Sequence, residues 1–228
     1  MRRYFYLLIP LFLFGCSDSS SHTEPNHSID SGSSNEETVS PFPKVNEDLG
    51  NAVENAKLMR LFLYGDRSVS TFEGEGNEFA SYFVETNWLS DHYVEMLVNN
   101  GGVELLKYYR VNENGIYLIE QLENDGQSLS IEYLETLEPI STYFAPPLEV
   151  GTTFEGWMIR QTDAHYTTPY ASFDQVIVIT KSDENTEQRN YFVTGIGQIA
   201  SEFESTDEHG NVEIISSKLK SIEIEKDT

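Results

Sequence analysis

Three histidines stand outside the Ser-rich N-terminal stretch of this chain: His92 beside Asp91, His165 two residues after Asp163, and His209 after Asp207-Glu208. A zinc site needs three or four ligands converging on one ion, and neither an HExxH nor a His-x-His spacing occurs. A solvated or singly bonded imidazole is the plainer reading at each. A serine nucleophile would want a Gly-x-Ser-x-Gly elbow, which is absent. Gly74-Glu75-Gly76 and Gly195-Ile196-Gly197 have the glycine spacing of phosphate loops, but those loops need a following helix whose amides hold the anion, and strand-like sequence follows both. The acidic runs Glu73-Gly74-Glu75, Asp183-Glu184-Asn185 and Asp207-Glu208 could offer oxygens to calcium; none has EF-hand spacing, and solvated surface loops explain them as well. Paired carboxylates for glycoside hydrolysis carry little signal in a chain so rich in acids. Trp88, Tyr108, Tyr109, Tyr143, Phe144 and Trp157 could line a groove, yet aromatics are also the usual filler of β cores, and the core reading is favoured. The residue types thus assemble no catalytic set, no metal site and no cofactor site, and the chain is read as non-enzymatic.

One residue is singled out by position. Arg2-Arg3 precede eleven apolar residues, Tyr4 to Phe14, and then Gly15 and the only cysteine, Cys16. A run of that length fits the apolar core of a secretory signal and falls short of the roughly 20 residues that cross a bilayer. Leu13-Phe14-Gly15-Cys16 resembles the lipobox of bacterial lipoproteins, although Phe14 stands where that motif prefers a small residue. The resemblance implies that residues 1–15 are removed as a lipoprotein signal peptide and that Cys16 is diacylated and becomes the new N-terminus. Two acyl chains, at about 0.8 kcal/mol per buried methylene, anchor stably where one is marginal. A single cysteine also excludes an internal disulfide and a cysteine-based zinc cage.

Behind it, residues 17–44 are dominated by Ser, Asn, Asp, Glu, Thr and Pro, with Ile29, Val39 and Phe42 as the sizeable apolar side chains. Such a stretch buries too little surface to offset the entropy of ordering it, so 16–44 reads as a lipidated cysteine followed by a disordered linker. As a flexible coil it would reach about 30 Å. His22 and His27 within it read as solvated. The chain carries 14 basic and 38 acidic residues, and residues 45–228 hold 11 and 33 of these, a net charge of −22. A domain so acidic, its cations scattered, repels phosphate backbones; no nucleic-acid partner is expected, and the membrane is reached only through the Cys16 lipid.

The elements that would position any site are mostly strands. A short helix is expected over Glu47 to Leu58, with Ala52, Val53, Ala56 and Leu58 on one face. Period-two patterns then run through Phe79 to Trp88, His92 to Val98, Val103 to Val111, Ile116 to Leu122, Trp157 to Gln161, Gln175 to Lys181, Asn190 to Thr194, Gln198 to Glu204 and Val212 to Glu225. Asn99-Asn100-Gly101-Gly102, Asn112-Glu113-Asn114-Gly115, Asn124-Asp125-Gly126 and Asp207 to Asn211 supply hairpin chemistry between them. Pro146-Pro147, Gly151 and Gly156 punctuate a crossing segment that also contains Asp163 and His165 in its polar continuation. The last strand has mixed faces, which suggests an edge or a change of partner. The fold class is therefore mainly β: a single antiparallel meander domain over 45–228, a curved sheet, half-barrel or barrel.

Several stretches together resemble a family of uncharacterised extracytoplasmic β-rich proteins of Gram-positive bacteria, many of them lipoproteins and some fused to copper-amine-oxidase-like N-terminal domains. They are Phe72-Glu73-Gly74-Glu75-Gly76-Asn77-Glu78-Phe79-Ala80-Ser81-Tyr82, Asn100-Gly101-Gly102, Pro147-Leu148-Glu149-Val150-Gly151-Thr152-Thr153-Phe154, Thr168-Pro169-Tyr170-Ala171-Ser172-Phe173-Asp174, and Tyr191-Phe192-Val193-Thr194-Gly195-Ile196-Gly197 with Glu202-Phe203. The resemblance implies a fold and a location on the extracytoplasmic face of a Gram-positive cell membrane, and supplies no reaction. Read physically, the same glycines are where tight turns or bulges are needed, and Leu148 and Phe154 are core anchors. Three functions follow as expectations: a lipid-anchored binding or interaction module of unknown ligand; alternatively a carrier of an apolar ligand in the concavity of the sheet; and last, a metal-dependent or hydrolytic enzyme, which would require His92, His165 and several acids to meet.

Overall fold

The computed structural model describes residues 47–225. The signal peptide expected over 1–15, Cys16 and the linker over 17–44 lie outside the described residues. Helix α1 spans Glu47–Arg60, two residues beyond its expected end. Six strands follow, β1 (Ser68–Glu75), β2 (Tyr82–Trp88), β3 (Tyr93–Asn99), β4 (Glu104–Asn112), β5 (Gly115–Glu123) and β6 (Ser141–Phe144), with a one-turn helix α2 (Ile131–Leu134) between the last two. Six more complete the chain: β7 (Thr153–Phe154), β8 (Trp157–Thr167), β9 (Ser172–Ser182), β10 (Thr186–Val193), β11 (Gly197–Thr206) and β12 (Val212–Ile224).

All twelve described strands belong to one antiparallel sheet, ordered β6-β5-β4-β3-β2-β1-β12-β11-β10-β9-β8-β7. Each half is a meander, and the two halves are joined where the first strand pairs with the last. The edge strands β6 and β7 then come together through side chains: Thr142 Oγ1 donates to Glu155 Oε1 at 2.9 Å, and the Phe144 and Phe154 rings lie 6.1 Å apart. The sheet is thereby rolled into a nearly closed barrel, toward the closed end of the forms the sequence allowed.

The interior is packed by Phe62, Phe72, Phe144, Phe192, Ile159 and Ile199, all essentially without exposed surface. Phe144 holds the centre, with ring centroids 4.6 Å from Phe62 and 4.8 Å from Phe192. Phe62 arrives from α1: Met59, Phe62, Leu63 and Tyr64 are buried in the barrel, and Gly195 N donates to Leu61 O at 2.8 Å. This passage explains Gly195-Ile196-Gly197. Gly197 has φ +98°, and a Cβ there would stand 3.1 Å from the Leu63 carbonyl carbon, so the motif is a hairpin turn fitted around a passing chain. A smaller cluster, Tyr93, Leu106, Tyr108, Ile119 and Leu134, lies on the outer face of β3–β5 beneath α2. Strand alternation sends the neighbouring rings of Tyr108 and Tyr109 to opposite faces, and the bulge opposite them places the extra residue, Ile119, on β5.

Several expectations are corrected. Strand β1 was not expected, because Ser68 to Glu75 has small polar residues and a glycine where a strand pattern would show apolar ones. The strand read from Phe79 begins only at Tyr82: the chain turns at 76–81, and Ala80 crosses so close to Gly74 that a Cβ there would sit 2.2 Å from the Ala80 carbonyl carbon. Asn124-Asp125-Gly126 leads toward α2 and is not a hairpin. Strand β8 is longer than expected and contains His165. Strand β12 is central, not at an edge; Val212 to Lys218 pair with β11 and Ser216 to Ile224 with β1, and this exchange of neighbours is why its faces look mixed. Leu148 and Phe154 do pack against the core.

Candidate ligand cavity

Packing does not fill the whole barrel. Beside the aromatic centre lies a cavity of about 340 Å³, near the lower end of the roughly 300–1,000 Å³ usual for ligand clefts. Strand alternation builds its wall. Tyr82 and Val84 come from β2, Met96 and Val98 from β3, Lys107 and Tyr109 from β4, Tyr143 from β6, Asn190 from β10, and Gln198 and Ser201 from β11, while Tyr64 enters from the chain after α1. Val84 faces Val98, and Met96 faces Lys107, across the pairs β2–β3 and β3–β4. Asn100 also lines it, together with Phe79, which is 52% exposed and rests on Gly102. Two stretches quoted above for their family resemblance therefore meet at this rim.

The chemistry of the wall is specific. Tyr143 OH donates to Gln198 Oε1 at 3.0 Å, its ring 5.2 Å from that of Tyr109 and 5.6 Å from that of Phe192. Tyr82 stacks on Phe72 at 4.5 Å. Burial raises the pKa of Tyr64, Tyr82, Tyr109 and Tyr143 well above the usual phenol range, and charge repulsion among these neighbouring phenols adds to the effect at Tyr64 and Tyr143. All four therefore remain protonated donors at neutral pH. Lys107 is half-buried, and burial lowers its pKa. No Asp or Glu lines the cavity.

A larger cleft of about 420 Å³ lies on the outer face of β1–β4, bordered by Arg67, Glu85, Glu95, Asn124 and Gln127. Its buried carboxylate is already engaged. Glu95 Oε2 accepts from Tyr108 OH at 2.7 Å, and that hydroxyl accepts from Leu129 N at 3.0 Å, which pins the 124–130 segment over the outer cluster. Burial first, then the bond to Glu95, pushes the Tyr108 phenol up to about 12. Glu202 is likewise satisfied, accepting from Tyr166 and Tyr191 at 2.8 and 2.7 Å with Arg189 at 3.6 Å. Both carboxylates brace strands through these bonds.

The histidines are not brought together. His92 Nδ1 is 3.2 Å from Val111 O, His165 Nδ1 is 2.8 Å from Asp174 Oδ1 on an exposed strand surface, and His209 Nε2 is 3.8 Å from Glu208. Among the described residues no three His, Cys, Asp or Glu side chains group to hold a metal. Asp207 is consumed by its own hairpin: it accepts from His209 N, Asn211 N and Asn211 Nδ2, each at 2.8 Å, and the bonds from Asn211 hold its carboxyl below the usual range. Of the aromatic candidates, Tyr108 and Phe144 are core, as favoured, whereas Tyr109, buried, and Tyr143, half-buried, also line the cavity. Trp88 is half-buried, its Nε1 donating to Tyr64 O at 3.0 Å with the Arg60 guanidinium 3.9 Å over its ring. Trp157 is half-buried against the core. Sequence reasoning passed over Lys107, although a cation inside Leu105-Leu106-Lys107-Tyr108-Tyr109, a run apolar on both faces, was the available signal.

No known protein family matches the chain, and no curated protein does. Two solved structures are similar. One is a protein from Bacteroides fragilis described as exported and as having a YmcC-like fold, at 11% identity and a TM-score of 0.38; the other, from Parabacteroides distasonis, is described as a lipoprotein, at 10% identity and a TM-score of 0.41. Each alignment covers 72% of this chain and 98% of the other. Likenesses this distant leave function to be argued from the chain's own residues.

Proposed function

We propose that the protein is a lipid-anchored extracytoplasmic binding module, held on the cell membrane through Cys16 and a linker over 17–44, whose domain over 45–228 binds a small ligand inside the barrel. The observation that carries the ligand half of this reading is the interior cavity, walled by aromatic and apolar side chains with a few polar groups among them. The anchor half rests on the two arginines, the apolar run and the lone cysteine that ends it. Binding without chemistry is favoured because the buried carboxylates are engaged in bracing and the histidines stand apart.

This reading gives the carrier hypothesis a defined form: the concavity is filled by the protein's own aromatics around Phe144 and left open beside Tyr109 and Lys107. Mass spectrometry of the protein extracted from membranes tests both halves. The expected denatured mass is that of the chain from Cys16 plus a diacyl modification, and native spectra carry an additional non-covalent mass. An unmodified thiol or a retained leader overturns the anchor, and Cys16→Ser should release the protein or block its processing. A hydrolytic activity abolished by one point substitution would overturn the non-enzymatic reading.

A further inference from the structure

The interior cavity holds a cation and several phenol donors but no carboxylate. Lys107 projects into it from β4, on the same face as Tyr109 two residues along, and no carboxylate or other hydrogen-bond partner among the described residues meets its ammonium. The hydroxyls of Tyr64 and Tyr109 also find no partner among the described residues, and burial keeps both phenols protonated. Tyr143 is spent on Gln198. The domain carries 33 acids, yet none lines this space. A cationic ligand would find no counter-charge here, and a wholly apolar one would leave the ammonium desolvated and unpaired.

The geometry points to an organic anion as the ligand of this cavity, its carboxylate or sulfonate seated on Lys107 Nζ and Tyr109 OH and its flat apolar body against Tyr82, Tyr143 and Val98. This assignment rests on reading the cavity as the ligand site, and it adds the charge of the ligand and the residue that recognises it. Charge-assisted bonds to an ammonium in a partly desolvated pocket are roughly twice as strong as neutral ones.

Two probes of the same shape separate the questions: 2-naphthoate and its uncharged amide, 2-naphthamide, titrated calorimetrically into the detergent-solubilised full-length protein against a detergent blank. Naphthoate should bind about tenfold more tightly than naphthamide. Lys107→Met should bring the two affinities together, and Lys107→Arg should retain the preference. Val98→Trp, which fills the cavity while leaving the ammonium in place, should abolish both, with a single cooperative melt checked for every variant. Equal binding of the two probes to the wild type, a preference that survives Lys107→Met, or loss of both probes in Lys107→Met overturns the anion assignment and leaves the cavity standing. No binding of either probe to the wild type, or binding that survives Val98→Trp, overturns the cavity itself.

Discussion

Lys107 is a cost to the empty fold. Its ammonium is partly withdrawn from water with no anion to replace the lost solvation, and its pKa is lowered for that reason. The unfolded chain keeps the ordinary value near 10.4. Between the lowered folded value and the ordinary one, the unfolded state binds more protons, so this group makes stability rise with pH across that window. Lys107→Met removes the burden. The variant should melt higher than the wild type at neutral pH, and its advantage should shrink as pH climbs toward about 10. Thermal melts of both proteins at a series of pH values check this, and a destabilised Met variant at pH 7 would show that the ammonium has a partner after all. The residue scale is also where the sequence was hardest to read. Tyr109 and Tyr143 were visible as aromatics, but whether they fill a core or border a space depends on how far the sheet curls, and no local pattern encodes that.

Elements were more legible, for a reason that shows where they were not. Turns rich in Asn, Asp and Gly announce the β3–β4, β4–β5 and β11–β12 hairpins because their side chains cap their own backbone: Asn99 Oδ1 accepts from Gly101 N, Asn112 Oδ1 from Asn114 N, and Asp207 Oδ1 from Asn211 N. The pairing of β1 with β12 joins partners some 150 residues apart in the chain, such as Ser68 and Ile224; β1 left no local trace of it, and β12 left only its mixed faces, which fit an edge equally well. The glycines rank these contacts in energy. Gly101 (φ +81°) has open space around it, so Gly101→Ala should cost only the left-handed backbone penalty, about 1–2 kcal/mol. Gly197→Ala adds a close approach to the Leu63 carbonyl carbon at 3.1 Å and should cost about 2–3 kcal/mol. Gly74→Ala meets the Ala80 backbone at 2.2 Å, where one chain must move, and should cost about 3–5 kcal/mol. Urea midpoints for the three variants test the order, and an equal cost at Gly74 and Gly101 would mean that the 76–81 turn does not press on β1.

At the scale of the whole molecule, closure turns separate tyrosines into one titrating system. Tyr64 and Tyr109, buried, and Tyr82 and Tyr143, half-buried, surround a single cavity, with Tyr166 and Tyr191 raised further along the barrel by burial and by their bonds to Glu202. Repulsion runs among the cavity phenols, so ionising one makes the next harder to ionise. In the unfolded chain all of them titrate near pH 10. The sign is the reverse of that at Lys107: a raised folded pKa contributes stability that is complete below the unfolded value and is lost as pH rises through and above it. Above about pH 10 the loss from six tyrosines outweighs anything a single lysine restores, and a domain already at −22 gains further self-repulsion. Phenolate absorbance should therefore rise in two steps. The first should come while far-ultraviolet circular dichroism still reports a folded sheet. The buried set should appear later, in one cooperative step coincident with loss of that signal. Tyr143→Phe removes one member of the coupled set and frees Gln198, and it should shift the second step without moving the first. A single smooth titration of every tyrosine near pH 10, with the sheet intact, would mean that the barrel interior is open to water and that its cavity cannot hold a ligand in the way argued from Lys107.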